Sequence, residues 1–235
     1  MREADKPSAT IRGFRVFPFA SSGELIEMAH AHAPAILVAL NAEKVANADP
    51  RVRRIVDHNI GYPDGMGVVL ALRRRGLHTS RIAGADLWLE LARSRVGQRI
   101  YLIGSSRSVI VPAVKRLAEV IPGVVVVGHR DGYLDADDVK DLKSDLANAM
   151  PDLVFVGMGS PQQELLMDAL NKAWPALYMG IGGSLDVFMG HRRRAPAWMQ
   201  RIGLEWLFRF AEHPSRLTRL PAYIRFAWLL ARGRF

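Results

Sequence analysis

The chain has 235 residues, 49% of them apolar, enough to bury a substantial core in one domain or in one domain with an appendage. It contains no cysteine, which excludes disulfides, thiolate metal sites and a cysteine nucleophile, and fits a reducing compartment. The net charge of +9 is unevenly placed: His191 to Phe235 holds ten arginines and two acids, whereas the 190 residues before it carry 22 basic and 21 acidic groups. The first ten residues are polar and charged, without the apolar stretch of a secretory signal. No run of about 18 apolar residues predicts a spanning helix. A helical pattern opens at Ser21 or Ser22 and leads into the apolar run Ala35–Leu40, a strand. A charged helical stretch from Asn41 to about Asn59 follows, with Pro50 suited to restart the helix at a first-turn position. Residues 61–65 read as a turn-rich break, and a helix then runs through Leu72. Ala85–Arg95 has helical periodicity, with Leu87, Trp88 and Leu91 on one face.

The second half is more regular. Strands are predicted at Arg99–Ile103, Val124–Val127, Asp152–Val156 and Ala176–Met179, and helices at Val109–Val120, Asp137–Met150 and Gln162–Ala173. The Val124–Val127 run looks too apolar to face water on either side, as in a covered parallel sheet. Such alternation predicts an α/β class: a Rossmann-like, mostly parallel sheet with helices on both faces and ligands gathered at the carboxyl ends of the strands. Beyond Pro196 the chain changes to aromatic- and arginine-rich helices. The expected organisation is therefore an α/β domain over residues 1–200, in halves of about 1–97 and 98–200, and a helical basic appendage over 201–235.

Three predicted loops leave strand ends in the second half: the loop at Gly104, the Gly128–Tyr133 loop holding Gly132, and the loop holding Gly157 and Gly159. Glycine there lets backbone N–H groups approach a phosphate, and the following helix N-terminus favours the anion; each loop taken singly is also an ordinary turn. The dinucleotide fingerprint fails at Gln162, where a third glycine would stand, and no P-loop occurs. Asp64, within Pro63-Asp64-Gly65, suits a plain turn or a general base. Asp135, Asp137 and Asp138 resemble an acidic metal-binding pair, or cap the helix they precede. His30 and His32 face different ways on a helix, and no histidine–carboxylate spacing suggests zinc. In the tail, Arg209, Arg216 and Arg219 recur among aromatic residues, a composition for gripping phosphate. Tyr223, Phe226 and Trp228 among Arg225 and Arg232 suit a lipid interface or a helix packed on the protein's own core.

Seven stretches in register resemble one family: Asn41–Lys44, Tyr62–Gly67, Arg81–Asp86, Gly157–Glu164, Gly180–Asp186, Arg194–Pro196 and Gly203–Trp206. They are similar to the WecG/TagA/CpsF glycosyltransferases and cover about residues 35–220. The resemblance implies a metal-independent, inverting transfer from a UDP-sugar to a sugar on a polyprenyl diphosphate lipid, peripheral at the cytoplasmic face of the bacterial inner membrane. No cofactor and no nucleic acid are implied, and a homo-oligomer is left open. By similarity Asp64 is the general base, Asn41 and Arg81 are pocket residues and Gln163 is the active-site glutamine. Gly132 and Tyr133 would pack on uracil, and Asp186 would partner base or ribose. Arg209, Arg216 and Arg219 would close over the donor diphosphate. The family often has Thr where this chain has Ala39, which removes a hydroxyl from the sugar's surroundings. The rival reading is a nucleotide-binding module that regulates a membrane assembly and catalyses nothing; it would not require Asp64 or Gln163.

Overall fold

A computed structural model describes residues 7–212 and 214–233, without the side chains of Arg209 and residues 214–216. The chain opens with a short antiparallel hairpin, β1 (Ala9–Ile11) and β2 (Phe14–Val16). It continues through α1 (Ser22–Ala31), β3 (Ala35–Leu40), α2 (Ala42–Asn47), α3 (Pro50–Asp57), β4 (Ile60–Pro63), α4 (Met66–Arg74) and α5 (Gly84–Arg93). The second half runs β5 (Arg99–Gly104), α6 (Arg107–Val120), β6 (Val125–Arg130), α7 (Ala136–Ala149), β7 (Leu153–Gly157), α8 (Gln162–Ala173), β8 (Leu177–Gly180) and α9 (Ser184–Phe188). The C-terminal helices are α10 (Ala197–Arg201), α11 (Glu205–Glu212), a 3-10 turn at Pro214–Arg219 and α12 (Leu220–Ala231).

Six strands form one parallel sheet in the order β4-β3-β8-β7-β5-β6. Successive strand residues point to opposite faces, and the core divides accordingly. Ile36, Val38 and Leu40 of β3 join Val154, Val156 and Tyr178 beneath α2, α3, α4, α7 and α8. Leu37 joins Tyr62, Leu102, Phe155 and Met179 beneath α1, α5, α6 and α9. The predicted α/β class is therefore the observed one. The chain leaves β5 for β6 on one side and β7 for β8 on the other. The carboxyl ends of the adjacent β5 and β7 thus form a switch point, where such sheets open a crevice for ligands.

Three sequence expectations need correction. Residues 60–63 are a strand rather than a turn-rich break; Gly61 is required because the Arg15 carbonyl of the hairpin crosses within 2.3 Å of where a Cβ would stand. The Val124–Val127 run is not covered on both sides. It forms the start of β6, an edge strand on which Val125 is 39% exposed. Gly128 lies within that strand, under the Tyr101 ring, and not in a loop beyond it.

The C-terminal helices are tied to the sheet's helices. Phe226 of α12 is buried in the core alongside Val68 and Leu72 of α4, and α12 packs on both α2 and α4. Trp206 stacks on Tyr223 at 5.3 Å between centroids, and Phe210 meets both rings edge-on, so α11 and α12 are clamped together. Ile224 and Trp228 of α12 remain exposed, as do Trp198, Ile202, Leu207 and Leu217. Among the described residues no helix is long and apolar enough to cross a membrane.

Candidate active site

A cavity of about 1090 Å³ lies at the carboxyl edge of the sheet, walled on one side by strand-end loops and on the other by α11, α12 and the turn between them. Asn41, Asp64, Arg81, Gly132, Tyr133, Gly157, Gly159, Gln163, Asp186 and Arg219 all border it. A parallel sheet brings its strand ends to one edge, which gathers the loop residues between Asn41 and Asp186, and the C-terminal turn adds Arg219.

The Asp64 turn is held at three points. Its N–H donates to the Leu40 carbonyl at 3.0 Å, its carbonyl accepts from Arg81 Nε at 2.9 Å, and Oδ1 accepts the Gly84 N–H at 2.9 Å. The last bond places the carboxylate at the N-terminus of α5, where the helix dipole favours the anion. Oδ2 has no partner among the described residues, and Asp64 borders the cavity, an arrangement suited to accepting a proton. Among the described residues the buried Tyr62 hydroxyl has no hydrogen-bond partner. Burial, with the nearby Asp64 and Glu164 carboxylates, raises the Tyr62 pKa well above the ordinary phenol value.

Asn41 caps α2, its Oδ1 accepting the Lys44 N–H at 2.9 Å, and the residue borders the cavity. Each nitrogen of the Arg81 guanidinium makes one bond to protein: besides Asp64 it donates to the Gln200 carbonyl at 2.9 Å and to Glu205 Oε2 at 2.7 Å. Arg81, expected as a pocket residue, borders the cavity and also ties the Asp64 turn to the C-terminal helices. Gln163 is buried; Oε1 accepts the Gly182 N–H at 3.1 Å and Nε2 donates to Glu164 Oε1 at 2.9 Å. Its amide therefore fixes the turn after β8 against the start of α8.

At the switch point Gly104 and Gly157 stand side by side in the β5–β7 register, and a Cβ on Gly104 would fall 2.2 Å from the Gly157 carbonyl. Gly104 has φ +126°, and Ser105 after it has φ +55°, in the left-handed region. Gly132 N–H donates to the Ser105 carbonyl at 2.8 Å, and Ser105 Oγ reaches Asp186 Oδ2 at 3.4 Å. These three loops thus form one surface, and Gly104 serves close packing of strand ends. Gly159 is open, with nothing within 4 Å of a Cβ position, and Tyr133 is 79% exposed at the rim. α4, α6 and α8 start without a side-chain cap, and the residues preceding their first turns (Gly65, Ser106 and Pro161) all border the cavity. Uncapped N-termini present free N–H groups to an anion.

Of the tail arginines, Arg219 borders the cavity and pairs with Glu43 at 3.2 Å in an exposed contact, worth little and easily exchanged for a phosphate. The side chains of Arg209 and Arg216 lie outside the described residues. Asp135 caps α7, accepting from the Asp137 and Asp138 N–H groups, while Asp138 accepts the Asp135 N–H. The helix-cap reading of this acidic cluster is the observed one.

Sequence reasoning passed over several cavity residues. Arg192 and Arg193 border the cavity, and Arg194 pairs with Asp86 on α5. Lys44 Nζ donates to the Ala39 carbonyl at 2.8 Å and to Glu164 at 2.7 Å, a pair whose side chains are 8% and 0% exposed. Burial pushes the Glu164 carboxyl up, but the Lys44 charge and hydrogen bonds from Lys44, Gln163 and Ser160 outweigh it and leave the pKa below the usual 4.5. This contribution to stability is present above the ordinary glutamate range and is lost as pH falls through the lowered folded value. Lys44→Met strands a buried carboxylate and is expected to cost about 3–5 kcal/mol in denaturant unfolding, much of it recovered in Lys44→Met/Glu164→Leu. A double variant no more stable than the single one contradicts this account.

A family model described as the Glycosyl transferase WecG/TagA/CpsF family matches residues 14–235, nearly the whole chain. The match takes in the Asp64 turn, the glycine loops and the C-terminal helices that together enclose the cavity. The chain therefore belongs to the WecG/TagA/CpsF glycosyltransferases, enzymes of cell-wall polysaccharide synthesis that join a sugar-nucleotide donor to a lipid-linked acceptor.

Proposed function

We propose that this glycosyltransferase moves a hexose or N-acetylhexosamine from a UDP donor to a sugar carried on a polyprenyl diphosphate. The transferred sugar is of the N-acetylmannosamine, N-acetylmannosaminuronic acid or glucose type, and the transfer is inverting and metal-independent. The site of action is the cytoplasmic face of the bacterial inner membrane, where the enzyme is peripheral. One observation carries the reading: a single cavity is bordered by Asp64, by residues of the three glycine loops and by the uncapped N-termini of α4, α6 and α8.

In this reading Tyr133 and Gly132 support the uracil ring, and Asp186 accepts hydrogen bonds from base or ribose. The diphosphate lies against the open backbone at Gly157–Gly159 and the N-terminus of α8. The acceptor hydroxyl oxygen attacks the anomeric carbon as the bond from that carbon to the β-phosphate oxygen breaks. Asp64 Oδ2 takes the hydroxyl proton, and UDP leaves with the bonding pair. Arg219, with Arg209, Arg216 and the rim residues Arg192 and Arg193, offsets the charge that develops on the diphosphate. An inverting transfer needs one base, leaving-group stabilisation and close positioning, and no covalent nucleophile. Asn41, which borders the cavity, orients sugar hydroxyls in this reading. The domain boundary near residue 200 follows: the α/β body binds both substrates, and the helices beyond it complete the wall and meet the lipid through Ile224 and Trp228.

The test is UDP release measured with a panel of UDP-sugars and a short-chain polyprenyl-diphosphate-linked sugar, with and without excess EDTA. Acceptor-dependent release that survives the chelator is expected. Loss in EDTA with recovery on adding magnesium or manganese overturns the arginine-based account. No release with any donor, despite UDP binding, favours the nucleotide-binding regulatory module.

A further inference from the structure

We infer that Glu205 is a positioning residue for the transfer, acting through Arg81 on the Asp64 turn. The proposal rests on the reading of Asp64 as the base. Glu205 is the first residue of α11, and its side chain is 7% exposed, with that of Arg81 at 19%. Glu205 Oε2 accepts from one terminal nitrogen of Arg81 at 2.7 Å, the Gln200 carbonyl accepts from the other at 2.9 Å, and Asp64's carbonyl accepts from Nε at 2.9 Å. A guanidinium is a planar fork, so fixing its two terminal nitrogens fixes the direction in which Nε points. The plane set by Glu205 and Gln200 therefore sets where the carbonyl of residue 64 is held, and with it the carboxylate that the same residue presents.

The arrangement spans three separate parts of the chain. Arg81 lies in the stretch before α5, where the Ile82 N–H also donates to the Pro63 carbonyl at 2.9 Å. The other anchor of Asp64, the Gly84 N–H, sits three residues further on. Moving Arg81 thus disturbs two of the three bonds that hold the turn. Glu205 also supplies a negative charge against a largely buried cation, which an uncharged side chain of the same shape does not. A shift of about 1 Å in a reacting group costs on the order of 100-fold in rate. Glu205 also borders the cavity, and in this account its effect on the base passes through its bond to Arg81.

A double-mutant cycle on transfer turnover separates this role from simple support of the fold. Glu205→Gln is expected to lower kcat roughly 10-fold or more, with UDP affinity, measured by calorimetry, within about twofold of the parent enzyme. In an Asp64→Asn background the same substitution is expected to change single-turnover rate by less than about twofold, because there is no carboxylate left to misplace. Glu205→Asp, which keeps the charge, should recover part of the loss. If Glu205→Gln folds poorly, Arg81→Lys gives the same cycle from the other member of the pair. Equal fold-losses in both backgrounds overturn the proposal, and so does a fall in UDP affinity parallel to the fall in kcat, which would put Glu205's effect on the donor side. Full activity of Asp64→Asn alone instead removes the assignment of the base, a result the cycle reports separately.

Discussion

Asp64→Asn is expected to fold as the parent enzyme does, to bind UDP, and to lose turnover by roughly 100-fold or more, the scale of acid–base catalysis. The substitution is chosen for its geometry. An asparagine Oδ1 still accepts the Gly84 N–H, and the backbone bonds to Leu40 and Arg81 do not involve the side chain. What changes is the second carboxylate oxygen, which becomes an amide nitrogen and can no longer take a proton. Unfolding midpoint and UDP affinity therefore stay put while kcat falls. Near-normal turnover would move the base elsewhere in the cavity. Glu164 is a poor successor, since its carboxylate is fully buried and paired with Lys44; Asp186, at the cavity wall beside Ser105, would be tested next.

The parts of this protein that could be read from sequence are those whose information is local. β5, β7 and β8 are apolar runs ended by glycine, and α8 follows a clear helical period, so prediction and structure agree closely there. β4 was hidden because Gly61 and Pro63 are both poor strand formers; Gly61 is present for the sake of the hairpin that crosses it, a contact invisible in a local window. β1 and β2 have three residues each, too short for any periodicity to show. The apolar valines of β6 suggested a central strand, yet sheet order is decided by the connections and not by one strand's composition. The site divides in the same way. Asp64 and the glycine loops carry turn chemistry within a few residues and could be singled out. Lys44 with Glu164 and Arg81 with Glu205 are buried pairs separated by 120 and 124 positions, and no spacing rule links residues so far apart.

Deleting residues from Leu204 onward is expected to abolish nearly all transfer and most binding to anionic vesicles while leaving an α/β body that still folds. The six strands all lie before residue 181, and the core on the α5 and α6 face is untouched by the deletion. The opposite face loses Phe226, which is buried against α4, so the truncated body should melt earlier and self-associate through the uncovered apolar surface. Transfer is lost because the cavity's second wall, Arg219 and the Glu205 contact to Arg81 all go together. A second variant weakens the docking without removing the residues. A Cβ on Gly67 of α4 would stand 2.6 Å from the Phe226 ring, so Gly67→Ala forces that buried ring to shift and is expected to loosen the seat of α12. Glycine to alanine within a helix ordinarily stabilises by about 1 kcal/mol. Here the sign should reverse, with a lower unfolding midpoint and reduced kcat but retained vesicle binding, since Ile224, Trp228, Arg225 and Arg232 are all still present. Replacing Arg209, Arg216 and Arg219 by alanine should give a third pattern, losing turnover while keeping much of the lipid affinity, because each basic contact near an anionic surface contributes only about 1 kcal/mol and the aromatic contacts remain. A truncated enzyme with full activity on a soluble acceptor would remove the C-terminal helices from catalysis. Equal binding of the intact enzyme to neutral and anionic vesicles at low salt would remove charge from its attachment to the membrane.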